Sequence, residues 1–319
     1  MKRVADIIKT QVLNSIQPSI KSALWLLRLM LPILLLVSLL DYFGVITSLS
    51  QYTTPIFRLI GLDGRAAFVY ITSALTNIYS AIGVMTLFGF ELREVTIMAS
   101  MCLIAHNLII EGAIQSRTGV SFGGITLLRI ISSLLCGYLL NLVLPSEMSG
   151  RLFLEVATTK AQSISELLIM WIKSGVSLSI KVTIIIYLLN VLQNLLKAFN
   201  LISLMTKCLH PLLMLLGLPR STSFLWIVAN SLGLAYGGAI IIEEVEKGEM
   251  TRRDSALLNI SLAQTHSLIE DTILFVAIGV NVWWLILPRL TLSILSVWGQ
   301  RAITALRGEK SQYFKPTHP

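Results

Sequence analysis

The chain has 319 residues, of which 55% are hydrophobic and only 13% are charged, with a net charge of +8. Its mean hydropathy of +0.77 leaves too little polar surface to cover a soluble globule of this size, which excludes that class of protein. The basic residues flank apolar segments and form no cluster interleaved with aromatic residues. The charge therefore indicates membrane topology, and we expect no nucleic-acid partner.

Long apolar runs predict an all-α, polytopic membrane protein. At about 20 residues per span, four runs are long enough to cross a bilayer. They are residues 23–45, 122–144, 178–196 and 283–298. Four further stretches are more polar, so we expect about eight membrane-embedded segments in all. We therefore expect a multi-pass protein embedded in the lipid bilayer of the cytoplasmic, or inner, membrane.

Each predicted half begins with an amphipathic stretch. Residues 3–22 alternate apolar and polar side chains at helical spacing, which is typical of a helix lying on the membrane surface, and residues 161–175 repeat the pattern. After the first span, residues 54–60 predict a short helix that ends at Gly61.

Two stretches rich in glycine and serine are too polar to face lipid and too apolar for a soluble loop. They are residues 65–90, which contain Asn77, and residues 221–242, which contain Asn230 and three glycines. Interruptions at matching places in two halves of a transporter indicate broken or re-entrant helices at a binding site. Close helix packing through small residues is the alternative.

Two further stretches carry polar residues on one face of an otherwise apolar helix. Residues 95–115 contain His106, Asn107 and Glu111. Residues 255–277 contain Asn259, His266, Ser267, Glu270 and Asp271. Each stretch is interpreted as one continuous helix, whose polar side chains then lie within one arc and face away from lipid.

Charged groups at membrane depth need partners, because each costs about 2.5–3.5 kcal/mol even on insertion scales. We expect Glu111 to pair with Arg129, and Asp271 to pair with Arg289, as intramembrane ion pairs. The alternative is that these pairs only fasten adjacent helices, since a buried ion pair is weak support for anything more.

The chain contains one unit twice. A shift of 160 positions (266−106) places His106 on His266, Glu111 on Asp271 and Arg129 on Arg289. We therefore divide the chain into a first repeat at 1–145, a linker at 146–160 and a second repeat at 161–319. Three crossings per repeat would invert the second repeat, with both termini cytoplasmic and the linker on the other face. Four crossings would give parallel repeats, and charge alone does not decide.

The grouped side chains suit hydrogen bonding to a polar solute, proton coupling or ligation of a divalent metal. Cys102, one turn from His106, favours a metal, but the matching position 262 is Leu. The three cysteines lack CxxC spacing, so they predict buried thiols without a disulfide framework or a recognisable zinc site. Nucleophile-elbow, HExxH, Walker A and dinucleotide-binding motifs are absent. We therefore expect neither enzymatic activity nor a cofactor.

Four segments resemble the Gate, or nucleoside-recognition, domain family of membrane proteins. They read GLDGRAAFVYITSALTNIYSAIG and AHNLIIEGAIQSRTG in the first half, and GLPRSTSFLWIVANSLGLAYGG and LAQTHSLIEDTILF in the second. The family includes gate regions of concentrative nucleoside transporters and ferrous-iron permeases, and the spore-maturation proteins A and B. The resemblance covers nearly the whole chain as two tandem units. It implies re-entrant hairpins and a transporter, and it leaves the substrate open.

The first functional hypothesis is a secondary transporter or permease for a polar solute, with nucleosides among the options and the site between the repeats. A divalent-metal permease and a non-transporting structural or assembly subunit are the alternatives. The predicted site consists of His106, Asn107, Glu111, His266, Ser267, Glu270 and Asp271, with Asn77 and Asn230 at the re-entrant tips. Assembly into a homo-oligomer stays open.

Overall fold

The computed structural model describes residues 2–148, 150, 152, 161–308 and 312. Its regular elements are helices. In the first half these are α1 (Lys2–Asn14), α2 (Ile16–Tyr42), α3 (Val45–Leu59), α4 (Ala66–Leu75), α5 (Ile78–Met85), α6 (Leu92–Ile104), α7 (Leu108–Ser116) and α8 (Phe122–Val143). In the second half they are α9 (Ile164–Ala198), α10 (Leu201–Cys208), α11 (His210–Leu215), a 3₁₀ turn (Arg220–Thr222), α12 (Ser223–Leu232), α13 (Leu234–Glu246), α14 (Arg252–Thr265), α15 (Glu270–Ala277) and α16 (Val282–Leu306).

Five helical stretches among the described residues are long and apolar enough to cross a membrane. They are Val4–Tyr42, Leu92–Ser116, Phe122–Val143, Ile164–Ala198 and Val282–Leu306. The all-α polytopic class is thus confirmed. The expected count of eight embedded segments is not reached by this measure, because the remaining predicted segments consist of short helices.

The predicted surface helices are not separate elements. α1 runs into α2 through Ser15, whose backbone stays helical (φ −79°, ψ −18°), and α9 is a single helix that absorbs residues 164–175. Two serines of the N-terminal stretch are buried against α9, where Asn194 donates to Ser15 Oγ and Asn190 donates to Ser19 Oγ, both at 2.9 Å. The end of this stretch therefore takes part in a helix–helix contact.

Both stretches rich in glycine and serine are broken helices, as predicted. In the first, α4 ends at Leu75 and Asn77 caps α5 by accepting a hydrogen bond from the Ser80 N–H at 2.9 Å. In the second, Gly233 (φ 83°) separates α12 from α13. The chain folds back on itself at this break, so that Gly237 of α13 packs directly on the Ala229 backbone of α12.

The prediction of two continuous polar-faced helices is wrong. The first divides between α6 and α7 at Asn107 (φ 47°), and the second divides between α14 and α15 around Ser267 (φ 51°). Both residues adopt the left-handed conformation, which no residue of a right-handed helix can hold. The polar groups consequently stand at two chain breaks instead of along one helical face. Of the three cysteines, Cys102 and Cys136 are buried, whereas Cys208 is exposed, contrary to expectation.

One apolar core cluster joins the two halves. It includes residues of α4, α5 and α6 together with Leu274 and Phe275 of α15 and Leu285 of α16. Polar contacts cross the same boundary, since Ser100 of α6 donates to the Trp284 carbonyl of α16 at 2.9 Å. The chain breaks of α6–α7 and α14–α15 are thereby held facing each other.

Candidate functional site

Each break in the polar-faced stretches is held by the neighbouring broken helix. The N–H of Asn107 donates to the Ser73 carbonyl in α4 at 2.9 Å, and the N–H of Ser267 donates to the Ala229 carbonyl in α12 at 3.3 Å. A break in a helix frees backbone groups that lipid cannot satisfy, so they must be paired within the protein. The two pairs of broken helices provide this pairing for each other.

Two buried arginines bind backbone carbonyls that the breaks leave free. Arg129 donates from Nε to the Ile104 carbonyl at 2.8 Å and from Nη2 to the His106 carbonyl at 2.7 Å. Arg289 makes the equivalent bonds to the carbonyls of Gln264 and His266. Both arginines are fully buried, so each guanidinium occupies the gap where a helical N–H would have bonded these carbonyls.

Two histidines point their Nε2 atoms at each other from these breaks. His106 Nδ1 lies 3.1 Å from the Cys102 carbonyl, and His266 Nδ1 lies 2.7 Å from the Leu262 carbonyl. A carbonyl can only accept, so this network assigns the proton of each neutral imidazole to Nδ1. Each Nε2 then presents a lone pair, and the two Nε2 atoms are 3.3 Å apart.

Two carboxylates complete the group. Glu111 places Oε1 3.2 Å from His106 Nε2 and Oε2 3.0 Å from His266 Nε2. Asp271 places Oδ2 3.3 Å from His106 Nε2. We call His106, Glu111, His266 and Asp271 the central cluster. It draws one histidine and one carboxylate from each half of the chain.

The predicted ion pairs have different outcomes. Glu111 Oε2 lies 2.8 Å from Arg129 Nη2, as a pair would require. Arg289 instead contacts backbone carbonyls and, at 3.4 Å, Thr272 Oγ1. Among the contacts of the described residues, the predicted Asp271–Arg289 pair is not found. The cause is the break before α15, which turns the Asp271 carboxylate towards His106 of the other half.

The other predicted site residues surround the cluster without joining it. Asn107 and Ser267 act through their backbones at the breaks, and Asn77 caps α5. Asn230 donates from its side chain to the Trp226 carbonyl at 2.9 Å. Glu270 accepts from Gln193 of α9 at 3.1 Å and faces Gly233. These residues therefore line the chain breaks.

Sequence reasoning missed Gln193. Its signal was available, because Asn190, Gln193 and Asn194 form a polar strip on the otherwise apolar α9. The strip pairs with Ser15 at the junction of α1 and α2, with Ser19 of α2 and, through Gln193, with Glu270. An amide on an apolar span predicts a buried polar partner in the same way as a carboxylate does.

The interior around the cluster is closed but not fully paired. The four cluster residues are at most 8% exposed. Several buried side-chain atoms near the breaks have no hydrogen-bond partner in the described part of the chain, namely Ser73 Oγ, Asn77 Nδ2, Ser80 Oγ, Asn230 Oδ1, Ser231 Oγ and Gln264 Oε1. Such atoms are costly to bury unless a water or ligand meets them. The breaks thus offer unused donors and acceptors.

Two cavities lie along α9. One of about 290 Å³ is bounded by α5, α9 and α15, and its lining includes Tyr79 and Leu274. Another of about 490 Å³ is lined by Asp41, Arg65 and other residues. Both border Ser174 of α9, and neither is lined by a residue of the central cluster. The cluster is therefore separate from these cavities in this conformation.

Three members of the cluster meet the distance requirement of a metal site. One ligand atom from each of His106, Glu111 and His266 lies within 4.8 Å of the other two. Imidazole together with carboxylate suits divalent transition metals. The same groups also suit a shared proton.

Comparison with known proteins gives one family and one relative. The family model described as Gate, nucleoside recognition, matches residues 23–126, a range that contains Asn77, His106 and Glu111. An uncharacterized membrane protein YvoD of Bacillus subtilis (strain 168) is 31% identical over 272 residues, which cover 84% of this chain and 86% of the relative. No solved structure matches the chain.

Proposed function

We propose, from the premise that the chain belongs to the Gate (nucleoside recognition) family of membrane proteins, that it is a permease for a small polar solute. The solute would pass the central cluster, between the two halves. This role requires no chemistry on the solute, so we propose no enzymatic activity.

The observation that supports a permease is the meeting of two pairs of broken helices around buried ionisable groups. Secondary transporters use discontinuous helices near the middle of the membrane, because the freed backbone groups replace the hydration of the solute. Here Asn107 and Ser267 mark two breaks, and Asn77 and Gly233 mark the other two. Buried ionisable residues in a membrane are costly and usually mark a pathway for ions or solutes.

A structural or assembly subunit is the second candidate, and the buried arginines favour it. Arg129 and Arg289 close the breaks by binding backbone carbonyls, which would seal a gate inherited from a transporter. The unpaired atoms at the breaks favour the permease, because a permanently sealed interior has no reason to leave buried Asn77 Nδ2 and Asn230 Oδ1 unpartnered.

Uptake by protein reconstituted in vesicles tests the proposal. A thermal-shift screen with nucleosides and divalent metal salts first identifies a solute that stabilises the purified protein. His266→Ala and Glu270→Gln should then abolish uptake of that solute while the folded protein is retained. His210→Ala is the matched control, because His210 lies in α11, outside the cluster.

Two results together would contradict the permease. If no solute stabilises the wild-type protein, and both variants melt far below it, then the polar groups hold the fold together. The permease should in that case be abandoned for the structural subunit. Loss of uptake in His210→Ala as well would show that the assay reports general damage.

A further inference from the structure

We propose that the central cluster binds one divalent transition-metal ion through His106 Nε2, His266 Nε2 and the carboxylates of Glu111 and Asp271. Binding at this site stands on the geometry alone. The further step, that this ion is the transported solute, rests on the proposed function.

The first support is an excess of electron pairs at the centre of the cluster. As neutral rings, both imidazoles donate their Nδ1–H to a backbone carbonyl, and both Nε2 atoms then present lone pairs. The carboxylate oxygens beside them can also only accept. Acceptors 3.0–3.3 Å apart repel one another unless a cation or a proton lies between them. Arg129 Nη2 already bridges Glu111 Oε2 and His266 Nε2, so the repulsion concerns the contacts of His106 Nε2.

The second support is the set of distances. A tetrahedral site with metal–nitrogen and metal–oxygen bonds of about 2.0–2.2 Å has ligand atoms about 3.3–3.5 Å apart along its edges. The two Nε2 atoms are separated by 3.3 Å, and Glu111 places Oε1 3.2 Å from that of His106 and Oε2 3.0 Å from that of His266. These three residues therefore have the spacing of three ligands around one small ion. Asp271, whose Oδ2 lies 3.3 Å from His106 Nε2, is placed to complete the set from the side of His106.

The third support is the outer hydrogen bonding of the histidines. A metal-binding histidine donates its other N–H to a carbonyl or carboxylate, which fixes the ring. His106 does so to Cys102, and His266 does so to Leu262. Because the carbonyl is the partner, the difference between Cys and Leu at these positions has no effect on the site. The asymmetry that weakened a metal site in the sequence thus disappears.

Arg129 opposes a cation at this place. Its Nη2 lies 3.1 Å from His266 Nε2 and 2.8 Å from Glu111 Oε2. An entering ion would replace this contact to His266, while the guanidinium keeps its bonds to the carbonyls of Ile104 and His106. With Arg129 counted, the two carboxylates offset two of the three positive charges that would then lie at the site. A nearby positive charge weakens binding, which suits an ion that must leave again during transport.

The ligand set selects the class of ion. Two imidazoles with two carboxylates suit Zn²⁺, Fe²⁺ and Co²⁺, whereas Mg²⁺ and Ca²⁺ prefer sites made of oxygen alone. A proton shared between His106 and a carboxylate is the competing occupant. Only direct measurement of metal binding separates the two.

The test is titration of the purified full-length protein, stripped with a chelator, with Zn²⁺ and with Co²⁺. The wild type should bind one equivalent per chain, and Co²⁺ should give the visible absorption of a tetrahedral site. Asp271→Asn and Glu111→Gln, which keep the side-chain shape, and His266→Ala should each weaken binding at least about tenfold. His210→Ala should bind as the wild type does, and Mg²⁺ should not compete.

A wild type that melts cooperatively and takes up no stoichiometric Zn²⁺ or Co²⁺ overturns the proposal in favour of a proton. Equal binding by His266→Ala and His210→Ala also overturns it. Metal binding without uptake of the ion into vesicles keeps the site and shows that the ion is not the transported solute. Uptake of another solute by a protein that binds no metal keeps the permease and removes the site.

Discussion

At the scale of single residues, Arg129 and Arg289 occupy matching positions and bind matching backbone carbonyls, yet their acidic neighbours differ. Arg129 has Glu111 at 2.8 Å, whereas the Asp271 carboxylate is directed to His106 in the other half. Both arginines are fully buried, so the cost of burying each charge depends on the groups that contact it. The coupling energy between each arginine and its acidic neighbour can be measured.

We expect unequal coupling in two double-mutant cycles. Glu111→Gln or Arg129→Gln alone should each cost roughly 3–5 kcal/mol, because a buried charge is left uncompensated. Combining the two should recover part of this, with a coupling energy of about 0.5–3 kcal/mol. The cycle of Asp271→Asn with Arg289→Gln should show a smaller coupling energy. Thermal or denaturant unfolding of all six variants in detergent provides the free energies.

Equal coupling in the two cycles would contradict the arrangement described for Asp271. A coupling larger for Asp271 with Arg289 than for Glu111 with Arg129 would restore the pairing expected from the sequence. The wild-type protein at the same pH is the reference for both cycles, because the cluster contains two histidines.

The chemistry of the site could be predicted at this scale, but its geometry could not. The shift of 160 positions identified His106, Glu111, His266 and Asp271 from the sequence. The backbone acceptors of the two imidazoles carry no side-chain signal, so the roles of Cys102 and Leu262 were invisible. Left-handed backbone at Asn107 was likewise unpredictable, since an Asn in an apolar stretch only favours that conformation.

At the scale of elements, the sequence located the breaks at Asn77 and Gly233, inside the stretches rich in glycine and serine, and missed those at Asn107 and Ser267. Gly233 is a strong break signal because it takes a positive φ without steric cost. The breaks at Asn107 and Ser267 depend on Arg129 and Arg289, which lie on other helices and stabilise the freed carbonyls. Such tertiary support has no counterpart in local periodicity.

In α9 the sequence suggested a helix boundary where the structure has none. Its 35 residues span about 52 Å at the rise of an α-helix, more than the roughly 30 Å hydrocarbon core of a bilayer. A change in amphipathic pattern near residue 175 suggested a boundary between a surface helix and a span. No proline interrupts the helix there, and Gly175 is buried within it, so the helix continues.

We expect the hairpin of α12 and α13 to depend on Gly237. A Cβ at this position would stand 2.5 Å from the Ala229 Cα, a backbone atom that cannot move aside alone. Gly237→Ala should therefore destabilise the protein by about 1–3 kcal/mol through overpacking, and it should lower uptake because the hairpin carries Gly233. Unfolding in detergent measures the first effect, and vesicle uptake measures the second.

Gly299→Ala is the matched control. Gly299 also lies inside a helix, α16, and a Cβ there meets no atom within 4 Å. Alanine at this site should leave stability unchanged or raise it by about 0.5–1 kcal/mol, since glycine is unfavourable in a helix interior. Tolerance of Gly237→Ala to the same degree would mean that α12 and α13 do not pack closely.

At the scale of the whole molecule, matching hydrogen bonds support the division into two tandem units. The bonds of Arg129 recur at Arg289, those of His106 recur at His266, and that of Asn107 to Ser73 recurs at Ser267 with Ala229. The bounds 1–145 and 161–319 stay a prediction. Most of the linker at 146–160 lies outside the described residues.

The orientation of the two units gives the last prediction. If each unit crosses the membrane three times, the second is inverted, both termini face the cytoplasm and residues 146–160 face the other side. Basic residues near the C-terminal helix and in the 247–253 turn agree with this orientation, because cytoplasmic segments are enriched in lysine and arginine. Inverted repeats would also allow the two histidine breaks to meet at one depth, as inverted transporters require.

Cysteine labelling measures the orientation of the two units directly. Ser149→Cys and Ser311→Cys, each in a background without Cys102, Cys136 and Cys208, should react with a membrane-impermeant reagent from opposite sides of the membrane. Ser133→Cys, at a fully buried position in α8, should react from neither side and controls for unfolding of the protein during labelling. Reaction of both terminal and linker cysteines from the same side would exclude inversion. The two units would then be parallel, and the meeting of their breaks would have to arise from unequal tilt of α6–α7 and α14–α15.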